Sequence, residues 1–198
     1  MHRALSATLV TASLLLATAT PIPTGAAEVK EESKPRTPDC VYVGTPYDVI
    51  DRMLDVGLIR RGDVLYDLGC GDGRIVVAAA KRFGCRGVGY DINPIRIEES
   101  LQNVRQHGVE RLVKIEQADI FELDLSQADV IMLYLLPSMN KKLIPQLEQL
   151  KPGARIVCHN YDLKGIARDR YVAMRSLEDG VKHYIYRYRA PLRKETED

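Results

Sequence analysis

The chain has 198 residues, with 28 Lys plus Arg against 27 Asp plus Glu for a net charge of +1, and 45% of it is hydrophobic. That length suits one ordinary domain. The balance excludes a disordered chain, a collagen-like chain and a polytopic membrane protein, and argues against a module held to nucleic acid by bulk charge.

Residues 1–27 begin with a single basic residue, Arg3, followed by an apolar run from Ala4 to Ala19 and small residues at Gly25, Ala26 and Ala27. This is the pattern of a secretory signal peptide, with cleavage expected after Ala26 or Ala27. The run is shorter than the roughly 20 apolar residues needed to span a bilayer, and Ser and Thr dilute it. The expected location is therefore periplasmic or secreted, the alternative being an anchor left uncleaved. Residues 28–39 carry charges and two Pro but almost nothing apolar, as a disordered linker does. The domain should occupy residues 40–192, with 193–198 a flexible tail.

A first helix is predicted from Pro46, capped by Thr45, with Val49, Ile50, Met53, Leu54 and Leu58 on its apolar face. A strand over Val64–Asp67 leads through a glycine loop to a helix over Arg74–Phe83, closed by Gly84. Strand Arg86–Asp91 and helix Pro94–His107 repeat the unit. Strands follow at Leu112–Glu116 and Ala128–Leu136, then a helix over Ser138–Leu150 and a strand over Ala154–His159. Tyr171–Leu177 and Val181–Arg189 read as an antiparallel pair turning at Asp179-Gly180. Strands alternating with helices at this spacing give an α/β fold: a doubly wound, mostly parallel sheet with helices on both faces and an antiparallel terminal pair.

The loop Asp67-Leu68-Gly69-Cys70-Gly71-Asp72-Gly73-Arg74 allows a sharp turn and close backbone approach to a ligand at a helix N-terminus. Arg at position 74 departs from the dinucleotide fingerprint, and Asp67 suits a cationic or amino-bearing ligand better than a pyrophosphate. Asp91 ends the second strand 24 residues on, where a carboxylate can accept both ribose hydroxyls.

These residues resemble class I S-adenosylmethionine-dependent methyltransferases, whose first motif reads E/D-x-G-x-G-x-G. The resemblance implies a seven-stranded Rossmann-like fold and S-adenosyl-L-methionine as cofactor. It also implies that Asp67, Gly69 and Gly71 hold the methionine end, Asp91 the ribose, and Asp119 the adenine amino group. Tyr42-Val43-Gly44-Thr45-Pro46, Leu133-Tyr134-Leu135-Leu136-Pro137 and Leu150-Lys151-Pro152-Gly153 before Arg155 to His159 narrow the resemblance. Together they are similar to small protein-lysine methyltransferases whose mitochondrial members act on the adenine nucleotide translocase and the ATP-synthase c-subunit. Gly44 departs from the Tyr-Val-Pro-Thr-Pro usual there but spares Tyr42 and Thr45, which the resemblance places at the cofactor.

The fourth-strand end lacks the Asn/Asp-Pro-Pro-Tyr/Phe of base methylases, which disfavours a nucleic acid acceptor. A lysine acceptor must lose a proton and its water before it attacks. Tyr134 is the candidate to orient it, and His159 the candidate to assist proton removal; a structural role stays open for each. His183 is expected to be structural. No C-x-x-C or His/Cys cluster suggests a metal, and a Cys40–Cys85 pair is left open. The predicted activity is N-methylation of a protein lysine. Small-molecule methylation, or an exported non-catalytic module that keeps the nucleoside pocket, are the alternatives.

Overall fold

The computed structural model describes residues 37–39 and 41–195. The chain divides into two units, Met1–Lys34 and Pro35–Asp198, and every described residue falls in the second. The expected signal peptide, the linker up to residue 36, Cys40 and the last three residues lie outside the described residues.

In chain order the elements are α1 (Tyr47–Gly57), β1 (Val64–Leu68), α2 (Arg74–Phe83), β2 (Arg86–Asp91), α3 (Pro94–Gln106) and β3 (Val113–Gln117). A 3-10 turn at Ile120–Glu122 follows, then β4 (Val130–Leu133), α4 (Pro137–Leu147), β5 (Arg155–His159), β6 (Arg170–Arg175) and β7 (Lys182–Arg189). The strands form one sheet in the order β3-β2-β1-β4-β5-β7-β6. The first five are parallel, and β7 runs antiparallel to both β5 and β6. Strand order reverses direction at β1, between β2 and β4. Such a switch point opens a crevice at the C-terminal strand ends, where open α/β sheets bind ligands.

The local chemistry explains most boundaries. Gly73 and Gly84, both in the left-handed region, bracket α2. The Asn93 side chain accepts the Ile95 N–H at the start of α3, with Pro94 in the first turn. All four residues of β4 are buried, as a central parallel strand requires. Apolar residues of α1, α2 and α3 cover one face of the sheet, and α4 with the 3-10 turn covers the other.

Four expectations are corrected. Thr45 does not cap α1: Pro46 is the extended residue before it, and the Thr45 hydroxyl turns instead to His159. Leu58 leaves the apolar face and closes α1 in the left-handed region at φ 52°, its N–H bonding the Asp55 carbonyl. β4 ends at Leu133 rather than Leu136, because Pro137 opens α4 and holds Leu136 extended while Leu135 packs against Gly69. Residues 193–195 are not loose: the Ala167 N–H bonds the Arg193 carbonyl at 2.7 Å and the Glu195 N–H bonds the Gly165 carbonyl at 3.0 Å. The Cys85 thiol is free and buried, which pushes its pKa up to about 11.

Candidate active site

A cleft of about 890 Å³, its open mouth included, lies at the C-terminal ends of β1, β2 and β4. Tyr42, Thr45, Asp67, Gly69, Asp91, Asp119 and Tyr134 all line it. Gly71 and His159 do not form its surface.

The glycine loop sets the floor. The Gly69 and Cys70 N–H groups both bond the Tyr90 carbonyl, at 2.8 and 2.9 Å, which folds the loop back over β2. Gly71 sits at φ +56° directly beneath the Tyr42 ring, so any Cβ there would collide with that ring. The Gly71 N–H donates to Asp91 Oδ2 at 3.0 Å, and the Asn93 N–H donates to Asp91 Oδ1 at 2.9 Å. Gly71 therefore orients the Asp91 carboxylate and gives Tyr42 room to lie over the loop.

Asp67 is 2% exposed, and its Oδ2 has no hydrogen-bond partner. Burial pushes its pKa up to about 8, with the Asp91 and Asp72 carboxylates adding to the rise. A buried acid with one open oxygen on a cleft wall is poised to receive a cationic group. Asp119 accepts the Phe121 N–H at 3.0 Å, which caps the 3-10 turn and holds its carboxylate at the far end of the cleft.

Three further residues complete the wall, and the sequence had not singled them out. Arg74 makes a two-pronged ion pair with Asp72, with Nη2 2.7 Å from Oδ2 and Nε 2.9 Å from Oδ1. Its Nη1 donates to the Thr45 carbonyl at 3.0 Å, pinning the segment before α1 across the loop. Arg96 lies 4.8 Å from the centre of the Tyr42 ring, a cation–π contact that holds the ring from the α3 side. Asp72 and Arg74 sit inside the glycine motif, so their presence there was the signal available. Nothing in the local pattern marked Arg96.

Tyr134 follows β4. Its hydroxyl receives a long contact, 3.5 Å, from Asn160 Nδ2, and its ring lies 4.0 Å from the His159 ring centre. Asn160 is itself left-handed at φ 60° and accepts the Tyr184 N–H, so it buttresses Tyr134 from β7. His159 is fully buried behind Thr45 and Tyr134. Alternation along β5 aims it, with Val157, at the α1 face of the sheet. Burial pushes its pKa down to about 3, with the neighbouring His183 ring adding to the fall.

The sequence model for the ANTKMT methyltransferase domain matches residues 67–170. A protein-lysine N-methyltransferase of Saccharolobus islandicus is 41% identical over 154 residues, which is 76% of this chain and 94% of that protein. The chain belongs to the ANTKMT methyltransferase family. It is a class I methyltransferase, a class whose methyl donor is S-adenosylmethionine. The solved structure of an RNA methyltransferase from Salinibacter ruber, in complex with S-adenosyl-L-homocysteine, is similar at 46% identity and a TM-score of 0.70. That likeness covers 79% of this methyltransferase and 98% of the solved chain. The human lysine N-methyltransferase of the ATP-synthase c-subunit is 35% identical over 109 residues. The match spans 54% of this chain and only 46% of the human protein.

Proposed function

We propose that this methyltransferase transfers a methyl group to the side-chain amine of a protein lysine. The observation that carries the reading is the cleft itself: three carboxylates, Asp67, Asp91 and Asp119, in line along β1, β2 and the end of β3, continuing into the Tyr134 end of β4. The name of the 41% identical relative, a protein-lysine N-methyltransferase, supports the acceptor.

The residues fit the methyl donor. Asp67, with its open oxygen, and the left-handed Gly69 suit the methionyl end. Asp91, oriented by the Gly71 and Asn93 N–H groups, suits the ribose hydroxyls, and Asp119 the adenine amine. Tyr42 covers this end, and Thr45 forms the wall beside it. When bound, the donor supplies an electrophilic methyl on a sulfonium. The chain must align a neutral amine with that methyl and strip its water. An apolar wall of Leu135 and Met139, with the Tyr134 hydroxyl beside it, does both, because a poorly hydrated amine gives up its proton more readily. His159 stands behind this wall and acts through Thr45 and Tyr134 rather than on the acceptor directly.

Binding of S-adenosylmethionine and S-adenosylhomocysteine by calorimetry tests the pocket. Micromolar binding is expected for the full chain, with loss in Asp67→Ala and Asp91→Ala. Folded protein that binds neither ligand would sink the reading. A second acceptor class has one observation in its favour, the RNA methyltransferase name of the solved relative. Tritiated methyl transfer to poly-L-lysine but not to RNA decides between them.

For the cellular setting, the basic start and apolar run of residues 1–27 support export, with the domain acting beyond the inner membrane. Among the described residues no helix is long and apolar enough to cross a membrane. Fractionation followed by N-terminal sequencing should find the protein outside the cytoplasm and starting at Ala27 or Glu28. A cytoplasmic protein beginning at Met1 would exclude export.

A further inference from the structure

Thr45, His159, His183 and Asp179 form one continuous hydrogen-bonded row. Thr45 Oγ1 lies 3.2 Å from His159 Nδ1, and His159 Nε2 lies 2.8 Å from His183 Nδ1. His183 Nε2 then lies 3.1 Å from Asp179 Oδ2. The row starts on the cleft wall, passes through two buried imidazoles, and ends at a carboxylate that is 39% exposed.

With neutral rings, its last member sets the direction of every bond in the row. The Val181 N–H, at 2.8 Å from Oδ1, is the main group holding Asp179 below the usual carboxylate range, so Asp179 is ionised and only accepts. His183 Nε2 must therefore carry the proton given to Asp179. With both rings neutral, His183 Nδ1 then accepts, His159 Nε2 donates to it, and His159 Nδ1 accepts in turn. The Thr45 hydroxyl has one arrangement left: its proton points into the row.

We propose that Asp179, His183 and His159 are positioning residues that turn the Thr45 hydroxyl proton away from the cleft, so that its oxygen lone pairs accept an N–H of the amine receiving the methyl group. The inference rests on the amine-methylation reading above. The acceptor, rather than the donor's own ammonium, is assigned to this oxygen because the carboxylates suited to the donor run from β1 towards β3. The row enters instead from β5, beside Tyr134 at the end of β4. An amine attacks with the one orbital that carries no hydrogen, so an acceptor placed on an N–H fixes the aim of the lone pair. In the transfer that lone pair forms the N–C bond, the electrons of the broken C–S bond stay with sulfur, and the extra proton of the product ammonium leaves to water.

Asp179→Asn tests this with little change of shape. Val181 still needs an acceptor at the Oδ1 position, which puts the amide nitrogen of the variant at the Oδ2 position, 3.1 Å from His183 Nε2 and nearer to it than Oδ1 at 3.3 Å. A donor there reverses each bond in the row and points the Thr45 proton into the cleft, much as an amide in place of the triad carboxylate fixes the wrong histidine tautomer in serine proteases. The chain has only four His, so nitrogen-15 spectra of labelled imidazoles resolve the two rings. Wild type should show both rings protonated at Nε2, and the variant both at Nδ1. Methylation of poly-L-lysine should fall about tenfold or more in the variant, at an S-adenosylmethionine affinity within about twofold of wild type by calorimetry. Thr45→Ser should keep most of the rate and Thr45→Val should lose it. Rings protonated at Nδ1 in wild type, or a variant with unchanged tautomers or unchanged turnover, overturn the proposal. So does a variant whose loss of turnover is matched by loss of donor affinity. A wild type that binds the donor but methylates no amine overturns the functional reading instead, and the ring tautomers then decide the polarity of the row by themselves.

Discussion

Asp67 illustrates how one side chain can make binding respond to pH. Below about pH 8 the free protein holds it protonated, because burial opposes its charge. A cationic ligand favours the ionised form, so binding at neutral pH must expel the proton. We expect calorimetry at pH 7, repeated in buffers of different ionisation enthalpy, to show release approaching one proton, with affinity rising up to about pH 8. Affinity that is flat between pH 6 and pH 8 would remove Asp67 from the ligand. The same shift acts on folding with the opposite sense. A carboxyl raised from its usual range stabilises the free fold fully at acid pH, and that contribution is lost as pH rises through about 8.

Among the elements, the glycine loop and the segment before α1 act as a pair. Gly71 carries two constraints at once, a left-handed backbone and the Tyr42 ring on its face. Gly71→Ala should cost about 1–2 kcal/mol from the backbone alone, read as a lower denaturation midpoint. It should also lower donor affinity at least tenfold by displacing Tyr42. A variant with wild-type affinity would show that Tyr42 does not cover the ligand. The loop and its flanking elements were largely legible from sequence, since α2 and β2 fall at Arg74–Phe83 and Arg86–Asp91 as the glycines and apolar runs indicate. The sequence extends β4 three residues too far at its C-terminal end because Tyr134, Leu135 and Leu136 are as apolar as a strand. What ends the strand is the need to turn into the cleft, which apolarity does not encode.

Across the whole molecule, the parallel order and the antiparallel close follow from alternation and from the turn at Asp179-Gly180. The cleft's carboxylates follow from their places at strand ends. The contacts that join distant parts were not legible. His159 was read as a candidate base on the ligand side. The structure buries it behind Thr45, because its partners lie 114 residues earlier and 24 residues later in the chain. His183, read as structural, proves to link that buried ring to the surface. Arg96 holding Tyr42, and Asn160 buttressing Tyr134, are likewise matters of tertiary neighbourhood rather than of any local pattern.

Residues 41–45 form a wall of the cleft, yet they are the first part of the domain to be synthesised. Their partners, Gly71, Arg74 and above all His159, come later. The wall is not fully backed until β5 brings His159 behind Thr45, so a nascent or threaded chain possesses no complete cleft. A chain exported unfolded would therefore reach its destination empty, and its supply of methyl donor would have to be found there.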